Sequence, residues 1–161
     1  MFSKKEYTFY IYKTMSGENL YDYQTDKVRE LTPDQLTKKG DLPMVKTGEI
    51  SAKIYFIIFY APWCGHCKNM KEDVSNLARG LSENGLDDVF CAVNCEKHKE
   101  LLSKKDIDIQ GYPTINFVMD GNVESYEGPR NPEGLLTKIT KSIEDKLGVD
   151  ATAVSDSSKE V

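Results

Sequence analysis

Ile54-Tyr55-Phe56-Ile57-Ile58-Phe59-Tyr60 runs directly into Ala61-Pro62-Trp63-Cys64-Gly65-His66-Cys67, and this junction decides the architecture. Seven consecutive apolar or aromatic residues leave no polar face. A strand of that kind must be covered on both sides, as in a sheet held between two helical layers. The run stops at Ala61-Pro62-Trp63. Beyond Cys67, Met70, Val74, Leu77, Ala78 and Leu81 recur at spacings of 4, 3, 1 and 3. That is one stripe of a helix, closed by Asn84-Gly85. The Cys-x-x-Cys tetrapeptide therefore sits where a buried strand hands over to a long helix.

Downstream, Val89 to Cys95 reads as a strand, Lys97 to Lys105 as a helix and Thr114 to Met119 as a strand. Asp120-Gly121-Asn122 is a hairpin turn into Val123 to Tyr126. Leu135, Leu136, Ile139, Ile143 and Leu147 form the stripe of a last helix. Upstream, Thr32-Pro33-Asp34 predicts a short helix with Thr32 as N-cap, ending near Gly40, and 41–52 reads as irregular. The aromatic runs 7–13 and 20–24, separated by the turn-rich Met15 to Asn19, predict a β-hairpin. The order β-α-β-α-β-α-β-β-α implies an α/β fold, a mixed sheet with helices on both faces. We divide the chain into an N-terminal extension (1–26), one domain (27–148) and a disordered tail (149–161).

Length and composition agree. The chain has 161 residues, a single domain's worth. Leu, Ile, Val and Phe make up about 24% of it, above the ~20% below which disorder is the default. Twenty-one basic residues face 26 acidic ones, for a net charge of −5. That balance argues against a nucleic-acid role, which needs a clustered basic face. The longest apolar run is far short of the ~20 residues that span a bilayer. Met1 to Lys13 lacks the apolar stretch and small-residue site of a secretory signal, and the C-terminal Ser-Ser-Lys-Glu-Val is no retention address.

Four cysteines remain. Cys64, at a helix N-terminus, meets free amide N–H groups and partial positive charge that favour a thiolate. Cys67 lies one turn deeper, Gly65 and His66 separate the two, and His66 adds stabilisation. Two intervening residues let the sulfurs meet, which suits reversible thiol–disulfide exchange. A zinc site on Cys64, Cys67, Cys91 and Cys95 is the rival reading. In a strand, however, Cys91 and Cys95 lie ~13 Å apart at ~3.3 Å per residue. One ion with ~2.3 Å bonds to sulfur cannot reach both. Cys91 and Cys95 read as buried thiols and His98 as solvated.

Phe59 to Lys68 resembles the active-site stretch of the protein disulfide isomerase branch of the thioredoxin superfamily. Gly111-Tyr112-Pro113-Thr114 is similar to that family's cis-proline loop, and Tyr126-Glu127-Gly128-Pro129-Arg130 to its segment before the last helix. The likeness covers roughly residues 27–147. It implies a thioredoxin-like fold, with Cys64 the exposed nucleophile and Cys67 the resolving thiol. It also implies a cis Pro113 packed against the pair, and Trp63 and Tyr112 at the substrate site. Arg130 would swing toward the pair to assist Cys67. The family carries a buried acid at the position of Ile58 and its lysine partner at Ala92; both are apolar here. A lone buried charge costs several kcal/mol, whereas an apolar pair is often neutral, so the double loss is coherent. The expectation is slower resolution, with water or groups linked to Arg130 substituting. Glu72 replaces the proline that commonly kinks the active-site helix.

The resemblance thus implies a thiol–disulfide oxidoreductase acting on thiol- or disulfide-containing proteins, with glutathione or a partner oxidoreductase as redox source and no cofactor. His66 places the pair toward the oxidising end of the family. The alternatives are a thioredoxin-fold module that binds clients or partners, and a cytosolic or virion thiol reductase. The resemblance implies the lumen of the endoplasmic reticulum; without a recognisable leader or retention address, cytoplasm or virion stands as the alternative.

Overall fold

A computed structural model describes residues 3–5 and 18–148, and the chain divides into two compact units, Met1–Glu127 and Gly128–Val161. The first holds α1 (Tyr23–Asp26), β1 (Arg29–Leu31), a 3-10 turn (Pro33–Gln35), β2 (Leu36–Lys39) and β3 (Leu42–Val45). It continues through β4 (Ile54–Tyr60), α2 (Gly65–Glu83), β5 (Phe90–Asn94), α3 (Lys99–Lys104), β6 (Thr114–Met119) and β7 (Asn122–Ser125). The second unit holds α4 (Pro132–Leu147), N-capped by Asn131 and ended at Gly148 in the left-handed conformation.

The main sheet has the order β1-β5-β4-β6-β7. β5 runs parallel to both β1 and β4, while β6 is antiparallel to β4 and β7 to β6. The apolar run is thus the central strand, and every residue of it beyond Ile54 is buried. On one face Tyr55, Ile57 and Phe59 join Leu31, Cys91, Val93 and Cys95, with Leu102 and Ile107 from α3 and its exit covering them. On the other, Phe56 stacks on Phe90 at 5.2 Å and meets Phe117 and Tyr126 at 4.9 and 5.3 Å. Truncating so enclosed a ring to alanine costs ~3–5 kcal/mol. Ile58 and Tyr60 share that second face, which the buried stripe Cys67, Met70, Val74 and Ala78 of α2 covers. The mixed sheet with helices on both faces is as the sequence implies.

Three expectations change. Thr32-Pro33-Asp34 starts one 3-10 turn, closed by a capping box with Gln35, not a helix to Gly40. Leu36-Thr37-Lys38-Lys39 offers no apolar stripe to bury, and Gly40 at φ +63° turns the chain into the β2–β3 hairpin. Residues 42–45, read as irregular, are its second strand. Buried Asn116 anchors the hairpin by donating to the Pro43 carbonyl at 3.0 Å, and the Val45 N–H donates to the Tyr55 hydroxyl at 3.1 Å. The run 20–24 is not a strand. Asp22 accepts from the Gln24 N–H, and Asp26 accepts from the Asp22 N–H, both at 2.8 Å, so the pair closes a helical turn instead. Residues 7–13 and the tail from 149 lie outside the described residues.

β1 has no counterpart in the sequence reading. Its Arg29 meets Asp88 at 2.8 Å, and Asp88 also accepts from the backbone and hydroxyl of Ser51 at 3.0 and 2.9 Å. Burial works against the Asp88 charge, but Ser51 and Arg29 outweigh it and hold the carboxyl below its ordinary range. Asp88 sits at φ +61°, which asparagine also tolerates. Asp88→Asn should therefore remove charge without backbone strain and cost ~1–3 kcal/mol in urea unfolding. A depressed carboxyl stabilises above its unfolded pKa and loses that contribution as pH falls through the folded one. The gap between variant and wild type should accordingly close below about pH 4.

Candidate active site

The tight turn after β4 delivers Cys64 to the N-cap of α2. Its N–H donates to the Ala61 carbonyl at 3.0 Å, and its own carbonyl accepts the first helical bond from Lys68 at 3.0 Å. Cys64 thus sits at the end of the helix that carries about half a unit of positive charge. Gly65 and His66, the first helical residues, are exposed, and Cys67 turns inward one turn on.

Across from the helix, the Tyr112–Pro113 peptide is cis. The Cys64 thiol donates to the Tyr112 carbonyl at 3.6 Å. Trp63 and Tyr112 meet edge to face at 5.8 Å, and the indole N–H donates to Glu96 at 3.4 Å. Trp63 is 55% exposed and Pro113 is buried. The structure thus brings Trp63, Cys64, Tyr112 and Pro113 together. Cys64 is not the open nucleophile expected. It is only 8% accessible because its thiol turns in against the Tyr112 carbonyl, and Cys67 is 1% accessible. Arg130 belongs to the second unit, just before α4.

Cys91 and Cys95 lie in the opposite-face core with Ile57 and Phe59. Burial, reinforced by Asp88, pushes the Cys91 thiol far up. Burial and the nearby Cys67 push Cys95 up to about 12. His98 is half-buried at the start of α3, not fully solvated, and burial together with Lys97 lowers its pKa.

One buried acid escaped the sequence reading. Glu30 of β1 pairs in register with Ala92, which pairs with Ile58, so the three side chains share a row on the α2 face. Glu30 is half-buried as a residue, yet desolvation of its carboxyl dominates. Its pKa rises to about 8, despite opposing hydrogen bonds from the Tyr60 hydroxyl and Tyr21 backbone and the charge of Lys97. The Tyr60 hydroxyl donates to Glu30 and accepts from the Leu20 N–H at 2.9 Å. Tyr21 packs edge to face on Tyr60 at 5.9 Å. A three-residue strand reading Arg-Glu-Leu carries no periodicity, so only the alternation Val28-x-Glu30 could have flagged an inward carboxyl.

The sequence pattern of the thioredoxin family matches residues 44–141. The protein disulfide-isomerase of Zea mays is 38% identical over 122 residues, covering 69% of this chain and 23% of that protein. Protein disulfide-isomerase A4 of Homo sapiens is 32% identical over 116 residues, covering 68% and 18%. The chain thus spans less than a quarter of the length of these relatives. In fold it is similar to the J-Trx1 fragment of ERdj5, with a TM-score of 0.53 and 23% identity over 77% of this chain and 55% of that one.

The thiol environments differ enough to be read chemically. Brief treatment of the folded protein with iodoacetamide should label Cys64 first, and Cys91 and Cys95 only after unfolding, as peptide mass spectrometry would record. Early labelling of Cys91 would contradict the placement of that thiol.

Proposed function

The chain belongs to the thioredoxin family, on its protein-disulfide-isomerase-like side, and from that premise we propose that it exchanges disulfides with protein substrates through Cys64 and Cys67. The observation that carries this reading is the position of Cys64. Cys64 is the N-cap residue of a 19-residue helix, and its thiol donates to the Tyr112 carbonyl beside Pro113, with a second thiol one turn behind it.

In the oxidising direction a substrate thiolate attacks Cys64 of the Cys64–Cys67 disulfide. The Cys64 sulfur then carries a mixed disulfide, and Cys67 leaves with the electron pair. A second substrate thiol attacks the mixed disulfide, and Cys64 leaves in turn. In isomerisation, reduced Cys64 attacks a wrong substrate disulfide, and Cys67 provides escape when rearrangement stalls. The helix N-terminus stabilises negative charge that develops on the Cys64 sulfur, an effect of ~0.3–1 kcal/mol. The half-buried Tyr112 and the exposed Trp63 supply the apolar rim for an extended segment. Glutathione or a partner oxidoreductase resets the pair, and the compartment sets the net direction. Arg130 is assigned to assist Cys67 by the resemblance.

Turnover on a scrambled-disulfide protein tests the reading. Cys64→Ser should abolish it, falling at least ~100-fold, and Cys67→Ser should accumulate a mixed disulfide that non-reducing electrophoresis resolves. If Cys64→Ser leaves client refolding unchanged, the chain is a binding module and the proposal fails.

A further inference from the structure

Glu30 is a buried carboxyl to which the exchange steps assign no role, and its surroundings point at Cys67. Its row neighbours Ala92 and Ile58 are apolar, so it is the acidic member of that row. Tyr60 holds it from β4, and the Leu20 N–H fixes the Tyr60 oxygen from the other side. The segment carrying Leu20 is itself tied down. Asn94 donates to Asn19 at 3.1 Å, and Arg79 of α2 donates to the Thr25 carbonyl at 3.2 Å and meets Asp26 at 3.6 Å.

Tyr21 completes the set. It is 4% exposed, and its hydroxyl has no hydrogen-bond partner among the described residues. Leaving a buried hydroxyl unsatisfied costs ~1–3 kcal/mol. Burial first, and then Glu30, Cys67 and Asp26, oppose the ionisation of this hydroxyl. The orphan hydroxyl therefore stands within electrostatic reach of both the acid and the resolving thiol, with its own proton committed to neither.

Resting on the dithiol reading, we propose that Glu30, held by Tyr60 and linked through the Tyr21 hydroxyl, takes up and returns the proton of Cys67. After Cys64 has attacked a substrate disulfide and one substrate thiolate has left, the Cys67 proton passes to the Glu30 carboxylate. The Cys67 thiolate attacks the Cys64 sulfur, the Cys64–Cys67 bond forms, and the second substrate sulfur leaves with the electron pair. The substrate disulfide is reduced by two electrons and the pair oxidised by two. In reverse, protonated Glu30 supplies the proton that Cys67 needs when it leaves. Glu30 is thus a positioning residue that acts through Tyr21.

The sense of the pH dependence follows. The groups that act on Glu30 or feel its charge are Tyr21 from the N-terminal segment, Tyr60 from β4, and Cys95 and Lys97 from the segment after β5. Burial pushes both tyrosine hydroxyls far up and the Cys95 thiol up to about 12, so they stay protonated from pH 6 to 9. Attack by Cys67 should therefore quicken as Glu30 ionises near pH 8, and departure of Cys67 should be favoured below it.

Excess reduced protein mixed with 5,5′-dithiobis(2-nitrobenzoate) releases thionitrobenzoate in two phases, a bimolecular one from attack by Cys64 and a unimolecular one from attack by Cys67. In the wild type the second phase should rise through a midpoint near pH 8. Glu30→Gln should slow it at least ~10-fold at pH 8.5 and abolish that midpoint, with the first phase unchanged. Tyr21→Phe should do the same without lowering the urea midpoint, since it removes only an unsatisfied hydroxyl, and it decides the matter if Glu30→Gln does not fold. A wild-type second phase in either folded variant overturns the proposal. Absence of both phases in the wild type overturns the dithiol reading instead.

Discussion

Covering β4 on both faces is the constraint from which the rest of the first unit follows. A seven-residue strand without a polar side chain is stable only as the middle of a sheet with material above and below. That need places α2 on one face and α3 with the β2–β3 hairpin on the other. It also sets where the strand ends. Tyr60 is fully buried, and Ala61-Pro62-Trp63 turns the chain so that Cys64 becomes the N-cap of α2. Cys64 meets a helix terminus and the Tyr112 carbonyl because the buried strand ends at this turn.

The same burial explains how charge is distributed beneath the site. In the centre of the sheet, Ile58 and Ala92 are 1% and 0% exposed, and an ionised group there would have to be matched at close range. Moving the acid two strands outward to Glu30 relaxes that demand. β1 is an edge strand, the residue is half-buried, and Tyr60 and the Tyr21 backbone supply hydrogen bonds. The cost of desolvation appears as a raised pKa, not as an unmatched charge in the middle of the core.

Long periodic elements were legible from the residues alone: β4, α2, β5, β6 and α4 all lie where their apolar patterns put them. The cysteine pair at the strand-to-helix junction was equally clear, because its position depends only on those elements. The failures share a physical cause. Thr32 and Pro33 are genuine start signals, but the residues after them have no apolar stripe, and tertiary bonds from Asn116 and Tyr55 recruit that chain into a hairpin. Alternating aromatics at 20–24 looked strand-like, yet two aspartates capping a single turn decided the local structure. β1 is three residues long and is defined by its neighbour, so Glu30 was invisible until the register with β5 placed it beside Ala92.

The proposed function requires Cys64 and Cys67 to form a dithiol poised for exchange, toward the oxidising end of the thioredoxin family. Equilibrating the full chain against glutathione buffers and scoring the Cys64–Cys67 state by mass spectrometry measures that poise directly. The account predicts a potential near that of protein disulfide isomerase, about −180 mV. A value near that of thioredoxin, about −270 mV, would contradict it.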